Sequence, residues 1–145
     1  MFEKLFMLVK NNAGKAVIDN PVIAAKDRDA VIIDASSSII EVLKNQMESG
    51  KLNDLIKFFK YSGIYSGALI SSMVNRFANK LNNFYGIEPE AAYNVSAMLI
   101  PNVLEQLVMQ SKSGQEEAFA VGSMLSNLNG NRTDLTPMVN SLMVA

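Results

Sequence analysis

A chain of 145 residues, 49% apolar and 19% charged, has enough material for one buried core and is far from the composition of a disordered segment. Its 13 basic and 14 acidic residues leave a formal charge of −1, which offers no bulk attraction to nucleic acid or to an anionic membrane. It has neither histidine nor cysteine, which removes imidazole bases, thiolate nucleophiles, disulfides and most zinc, copper and iron ligand sets together.

The first residues, Phe2-Glu3-Lys4-Leu5-Phe6-Met7-Leu8-Val9-Lys10, read as the opening turns of a helix. Glu3 precedes the apolar stretch and Lys10 interrupts it, which is not the pattern of a secretory signal. No uncharged apolar run approaches the roughly 18 residues of a spanning helix, so the expected setting is soluble and cytoplasmic. Residues 11–26 look irregular: the residue before Pro21 is pushed toward extended backbone, and Val17-Ile18 and Val22-Ile23 have the composition of short extended pieces.

From Asp27 to Glu48 the helical period is clear. Ile32, Ala35, Ile39, Leu43 and Met47 line one face, flanked by Ile33, Ile40 and Val42. Asp34, Ser37, Ser38, Glu41, Lys44, Asn45 and Glu48 fall opposite. Asp27 is the expected N-cap and Gly50 the expected stop. A short helix follows on Leu52, Leu55, Ile56 and Phe59, broken at Tyr61-Ser62-Gly63. A stripe of Leu69, Met73, Phe77, Leu81 and Phe84 predicts a helix from about Ser66 to Phe84, ended by Gly86. Glu88-Pro89-Glu90 then has the proline and acidic side chains that suit a first helical turn. Its core face is Ala92, Val95, Leu99, Val103 and Leu107. Pro101 lies inside this helix, about 200° from Leu99 at 100° per residue, and is expected on the solvent side as a bend. Ser113-Gly114-Gln115-Glu116 reads as a capping box for a helix carrying Ala118, Val121, Leu125 and Leu128. Asn127-Leu128-Asn129-Gly130-Asn131 reads as a loop, and Thr136-Pro137 as the start of a last short helix. Asp29–Met47 can also be laid over Glu90–Val108 without a gap, pairing Ile39 with Ile100, Val42 with Val103 and Leu43 with Leu104, a weak internal echo.

Few side chains offer chemistry. Asp27, Asp29, Asp34 and Glu41 share the polar face of one helix and read as a solvated face, since hydrolysis wants carboxylates opposed across a cleft. Ser36-Ser37-Ser38 and Ser71-Ser72 have no activating base, no Ser-x-x-Lys spacing and no nucleophile elbow. Asn127 to Asp134 lacks the alternating carboxylates of a calcium loop. Lys57, Lys60 and Tyr61, with Arg76 and Lys80 on another helix, would make a stacking platform only if Phe58 and Phe59 faced outward, and these are expected inside. Met73 and Met98 are expected in the core.

Gly86-Ile87-Glu88-Pro89-Glu90-Ala91-Ala92, followed by Met98-Leu99-Ile100-Pro101-Asn102-Val103-Leu104-Glu105-Gln106-Leu107, resembles a motif of the YidB-like group of bacterial helical proteins. Phe2-Glu3-Lys4-Leu5, the stretch from Asn12 to Pro21 and the helix near Ala30 are similar to relatives of that kind. The Trp-x-Gly-x-Gly stretch of the group is missing here. The resemblance implies an all-helical fold and transfers no functional residue.

The expected fold is therefore all-α: a compact single domain over residues 1–145, of about six helices. Residues 1–26 form a helix and loop, 27–128 the main helical core, and 136–145 a C-terminal helix. The expected function is a non-enzymatic helical module acting through protein contacts, with a homodimer or another protein as partner and no nucleic acid, metal or cofactor. Met138, Val139, Leu142 and Met143 are its candidate interaction surface, because an isolated helix this short must dock to be stable. The alternative is an apolar-ligand or lipid-binding protein with a pocket between the Met- and Phe-rich helices.

Overall fold

The computed structural model describes residues 2–60, 62–113 and 119–128, and the regular structure among them is entirely helical. The helices are α1 (Phe2–Asn11), α2 (Arg28–Glu48), α3 (Leu52–Lys60), α4 (Ser62–Tyr85), α5 (Pro89–Ser113) and α6 (Val121–Leu128). More than half of the chain lies in them. The all-α expectation holds. No helix among the described residues is long and apolar enough to cross a membrane.

Residues 11–26 are more ordered than expected. Gly14–Ile18 form a single π-helical turn, with Ile18 N–H on the Ala13 carbonyl at 3.1 Å and Asp19 N–H on the Gly14 carbonyl at 2.8 Å. Ala25–Asp27 form a 3-10 turn that runs into α2. Neither Val17-Ile18 nor Val22-Ile23 is extended strand. The turn buries Ala16 and Val17 completely, and tertiary burial decides the conformation of so short an apolar piece. Asn20 closes the segment: its Nδ2 donates to the Ala16 carbonyl, and its Oδ1 accepts from Val22 N–H.

Helix ends follow local chemistry with two exceptions. Gly50 at φ +75° ends α2, with its N–H on the Met47 carbonyl at 3.1 Å and Lys51 N–H on the Gln46 carbonyl at 2.9 Å. This is the Schellman pairing that glycine permits. Gly86 at φ +65° ends α4 in the same left-handed region. Asp27 does occupy the N-cap position of α2, but its carboxylate makes no capping bond. Its φ of −99° and ψ of −5° continue the 3-10 turn, whereas capping needs an extended backbone. The second exception is α4, which begins at Ser62 rather than near Ser66, so Ser62-Gly63 lie inside the helix. Ser113 ends α5 and donates to the Gln110 carbonyl at 3.1 Å; the rest of the expected capping box, Gly114-Gln115-Glu116, and Ala118 after it lie outside the described residues.

One continuous core joins every helix. The largest interface is between α4 and α5, which form an antiparallel pair around the Gly86 turn, and α2 packs on the other side of α4. α1 lies across α2 and α5, while α3 lies against α2 and α4. Ile32, Ala35, Ile39 and Leu43 of α2, Met73, Phe77 and Leu81 of α4, and Leu99, Val103 and Leu107 of α5 are all buried, as their spacing predicts. Phe58 and Phe59 are buried edge to face, with ring centroids 5.2 Å apart.

The structure corrects four placements. Ser38 is buried and donates to the Asp34 carbonyl at 2.7 Å; a serine that bonds its own helix four residues back can enter a core. Phe84 is 65% exposed, one residue from the end of α4. Met98 is 48% exposed, rotated away from the Leu99 face. Pro101 is half-buried rather than on the open solvent side.

The internal echo extends to burial. Val31, Ala35, Ser38, Ile39, Val42 and Leu43 overlie Ala92, Ser96, Leu99, Ile100, Val103 and Leu104, all buried in both helices. Ile32, however, is buried where Tyr93 is 51% exposed. Two core helices of the same phase share such a pattern without common descent.

Candidate functional site

Part of the polar face of α2, at Asp34 and Glu41, is a seam, while Asp29, Lys44, Asn45 and Glu48 are exposed. Asp34 accepts a hydrogen bond from the Tyr85 hydroxyl at 2.5 Å, joining α2 to the last turn of α4. Two turns along α2, Glu41 accepts from the Lys80 ammonium and lies 3.6 Å from Arg76. The charges of Arg76 and Lys80 are thus engaged by a carboxylate. With side chains 39–43% exposed, the Glu41–Arg76 pair contributes at most about 1 kcal/mol.

Burial pushes the Tyr85 phenol well above its ordinary value, and the hydrogen bond to Asp34 and the charges of Asp34 and Asp27 push it further. A phenol held protonated in the folded state favours folding below the unfolded tyrosine value of about 10, and that contribution is lost as pH rises past it. Chemical denaturation between about pH 9 and 11 is expected to show wild type losing more stability than Tyr85→Phe. Parallel pH profiles would show that Tyr85 is not the group responsible. Beside Tyr85 lies a small cleft lined by Val22, Ile23, Ala24, Asp27, Val31 and Ile87.

The second feature is a groove between α4 and α5. Ile70, Ser71, Val74 and Asn75 supply one wall, and Tyr93, Ala97 and Pro101 the other. The spacing of Tyr93, Ala97 and Pro101 is i, i+4, i+8, so they form one ridge along α5. Beneath the groove the two helices are clamped by Ser96, whose buried hydroxyl donates to the Val74 carbonyl at 2.7 Å. Tyr93, at 51% exposure, and Met98, at 48%, extend the ridge into solvent. No lining residue is charged.

Among the described residues no group of three or more Asp or Glu side chains is gathered as a metal site would require. Asp27, Asp34 and Glu41 do share a helix face, yet Asp34 and Glu41 are each tied to α4. Ser36 donates to its own helix at the Ile32 carbonyl, and Ser72 to the Ala68 carbonyl. Lys57 and Lys60 flank an inward-facing aromatic pair, so Phe58 and Phe59 offer no stacking surface, and Tyr61 lies outside the described residues. The candidate surface of Met138, Val139, Leu142 and Met143, and the turn at Gly130, lie outside the described residues.

Sequence reasoning missed the α4–α5 groove. One signal for it was present: a proline in the interior of an otherwise regular amphipathic helix. No protein-family model, no curated protein and no solved structure matches the chain.

Proposed function

We propose that this protein is a non-enzymatic helical interaction module whose docking surface is the α4–α5 face. The observation that carries the reading is the pair of exposed apolar side chains Tyr93 and Met98, set beside half-buried Ala97 and Pro101 at the edge of an uncharged groove. Single exposed apolar residues are ordinary, but grouped ones mark contact surfaces. Engagement of Arg76 and Lys80 by Glu41 favours a protein partner over nucleic acid. The apolar-ligand alternative has less support, because Met73, Phe58, Phe59 and Phe77, the side chains that would line an internal pocket, fill the core. A cytoplasmic setting and kinship with the YidB-like helical proteins belong to this proposal and supply no site residue.

Photo-crosslinking tests the reading. A benzoyl-phenylalanine placed at position 98 is expected to give a discrete protein adduct in cells, and the same group at exposed Asn45 on α2 is not. Adducts from neither position, or from both alike, contradict it. The C-terminal stretch remains a second proposed contact. Deleting residues 136–145 is expected to lower both the melting temperature and the apparent mass by light scattering. An unchanged value of each removes that stretch from the proposal.

A further inference from the structure

The outer face of α4 is unusual for an exposed helix. Asn75, Asn79 and Asn83 stand at i, i+4 and i+8 and are all exposed. Asparagine ranks low as a helix former, and solvent-facing helix positions ordinarily carry Glu, Lys, Gln, Arg or Ala. Three in one row break that rule, and places where a sequence breaks a local rule are candidates for function. Asn12, Asn20, Asn82 and Asn102 each donate to a main-chain carbonyl. The side-chain amides of Asn75, Asn79 and Asn83 have no hydrogen-bond partner among the described residues. Arg76 and Lys80, the cations that flank the row, are held by Glu41.

The row lines an open cleft along α4, and Asn75 also lines the α4–α5 groove, so the two surfaces are continuous. Successive members are about 6 Å apart along the helix axis, or about 6.7 Å along the inclined row that i, i+4 neighbours form. In an extended chain every second residue recurs at about 6.6–6.8 Å. A row of amides at that interval keeps step with an extended main chain. Each amide sets donors beside an acceptor, the complement of the C=O and N–H that every extended residue must pair. A helical occupant has spent its main-chain groups internally and would cover the three amides without pairing them. A nucleic acid needs unengaged cations for its phosphates, which Arg76 and Lys80 do not offer. At the Asn75 end, Ile70, Val74, Tyr93, Ala97 and Pro101 give the groove an apolar side that suits an aliphatic group over a charged one.

Building on the docking face proposed above, we propose that Asn75, Asn79 and Asn83 hold the main chain of an extended segment of a partner protein, each side-chain amide pairing with the N–H and C=O of every second residue, while the α4–α5 groove receives an aliphatic side chain of that segment. Main-chain hydrogen bonds give such a contact its affinity, and the groove gives it selectivity.

The test titrates the full chain with a capped seven-residue peptide of alternating valine and serine. Beside it run the same peptide N-methylated on all its valines or on all its serines, a stapled helical peptide of equal length, and single-stranded oligodeoxyadenosine. Backbone and side-chain amide shifts follow each titration. Expected are shifts of the three asparagine NH2 groups and of the backbone over residues 70–83. One methylated form should bind roughly tenfold weaker than the parent, two lost hydrogen bonds at about threefold each, and the other should bind like the parent. The triple variant Asn75→Ala, Asn79→Ala, Asn83→Ala should fold more stably, since alanine is the better helix former, so a loss of binding there is not a loss of folding. In it the two methylated forms should bind alike. Equal affinity of wild type for the two methylated forms overturns the proposal. So does tighter binding of the helical peptide or of the oligonucleotide, a difference kept in the triple variant, shifts elsewhere, or no shifts at all. A dimer mass by light scattering that the triple variant loses assigns the row to a second copy and overturns it too. The crosslinking result at position 98 judges the docking face separately: an adduct without a difference between the methylated forms removes the extended segment and leaves the face.

Discussion

Leu99→Ala is expected to lower stability by about 2–5 kcal/mol, and Asn94→Ala by less than about 0.5 kcal/mol. Leu99 is fully buried, as are Ile100 and Val103 beside it on α5. Removing its side chain leaves a void that neighbours held between α4 and α1 cannot collapse into, so the lost transfer energy and the cavity term add. Asn94 is exposed on the opposite face of the helix. Urea denaturation of both variants checks the pair. Comparable losses would mean that the two faces of α5 are assigned the wrong way round.

Two residues further on, the sign reverses. Pro101→Ala is expected to raise stability by about 1–3 kcal/mol. Alanine restores the missing N–H and relieves the clash of the ring with the preceding turn. The gain is smaller than the full propensity difference, because proline also restricts the unfolded chain. The same denaturation series measures it. A loss of stability instead would show that α5 needs its proline to pack against α1 and α4.

The core was readable because its rule is periodic. Ile32, Ile39 and Leu43, or Leu99, Val103 and Leu107, sit at spacings that only a helix brings to one side, and helix stops at Gly50 and Gly86 need a residue that tolerates positive φ. What could not be read was set between helices. Asp34 and Glu41 look like any solvated carboxylates on α2 until Tyr85 and Lys80, far along the chain, are brought against them. The π-helical turn at Gly14–Ile18 is decided by burial of Ala16 and Val17, which local propensity does not encode. Pro101 was seen as an irregularity, but a projection angle from Leu99 placed it in solvent. Such an angle says where a residue points around its own helix, not that Ile70 and Val74 of α4 form the opposite wall of a groove there.

The two couplings between α2 and α4 also bear on alignment. An apolar interface of Ile, Leu, Val and Phe side chains is forgiving, and two antiparallel rods can slide by one turn, about 5.4 Å, with modest loss of buried area. Asp34 with Tyr85 and Glu41 with Lys80 do not forgive such a slip. Moving Glu41 one turn toward the end of α4 carries it from Lys80 to Phe84, and Asp34 then passes beyond Tyr85 into the turn at Gly86. Both carboxylates lose their donors in that displacement, whereas a slip of one turn the other way hands Glu41 to Arg76 and parts only Asp34 from Tyr85. Their net energy is small, yet either slip breaks at least one pair, so these polar contacts act chiefly as a vernier that selects one sliding position among several of nearly equal burial.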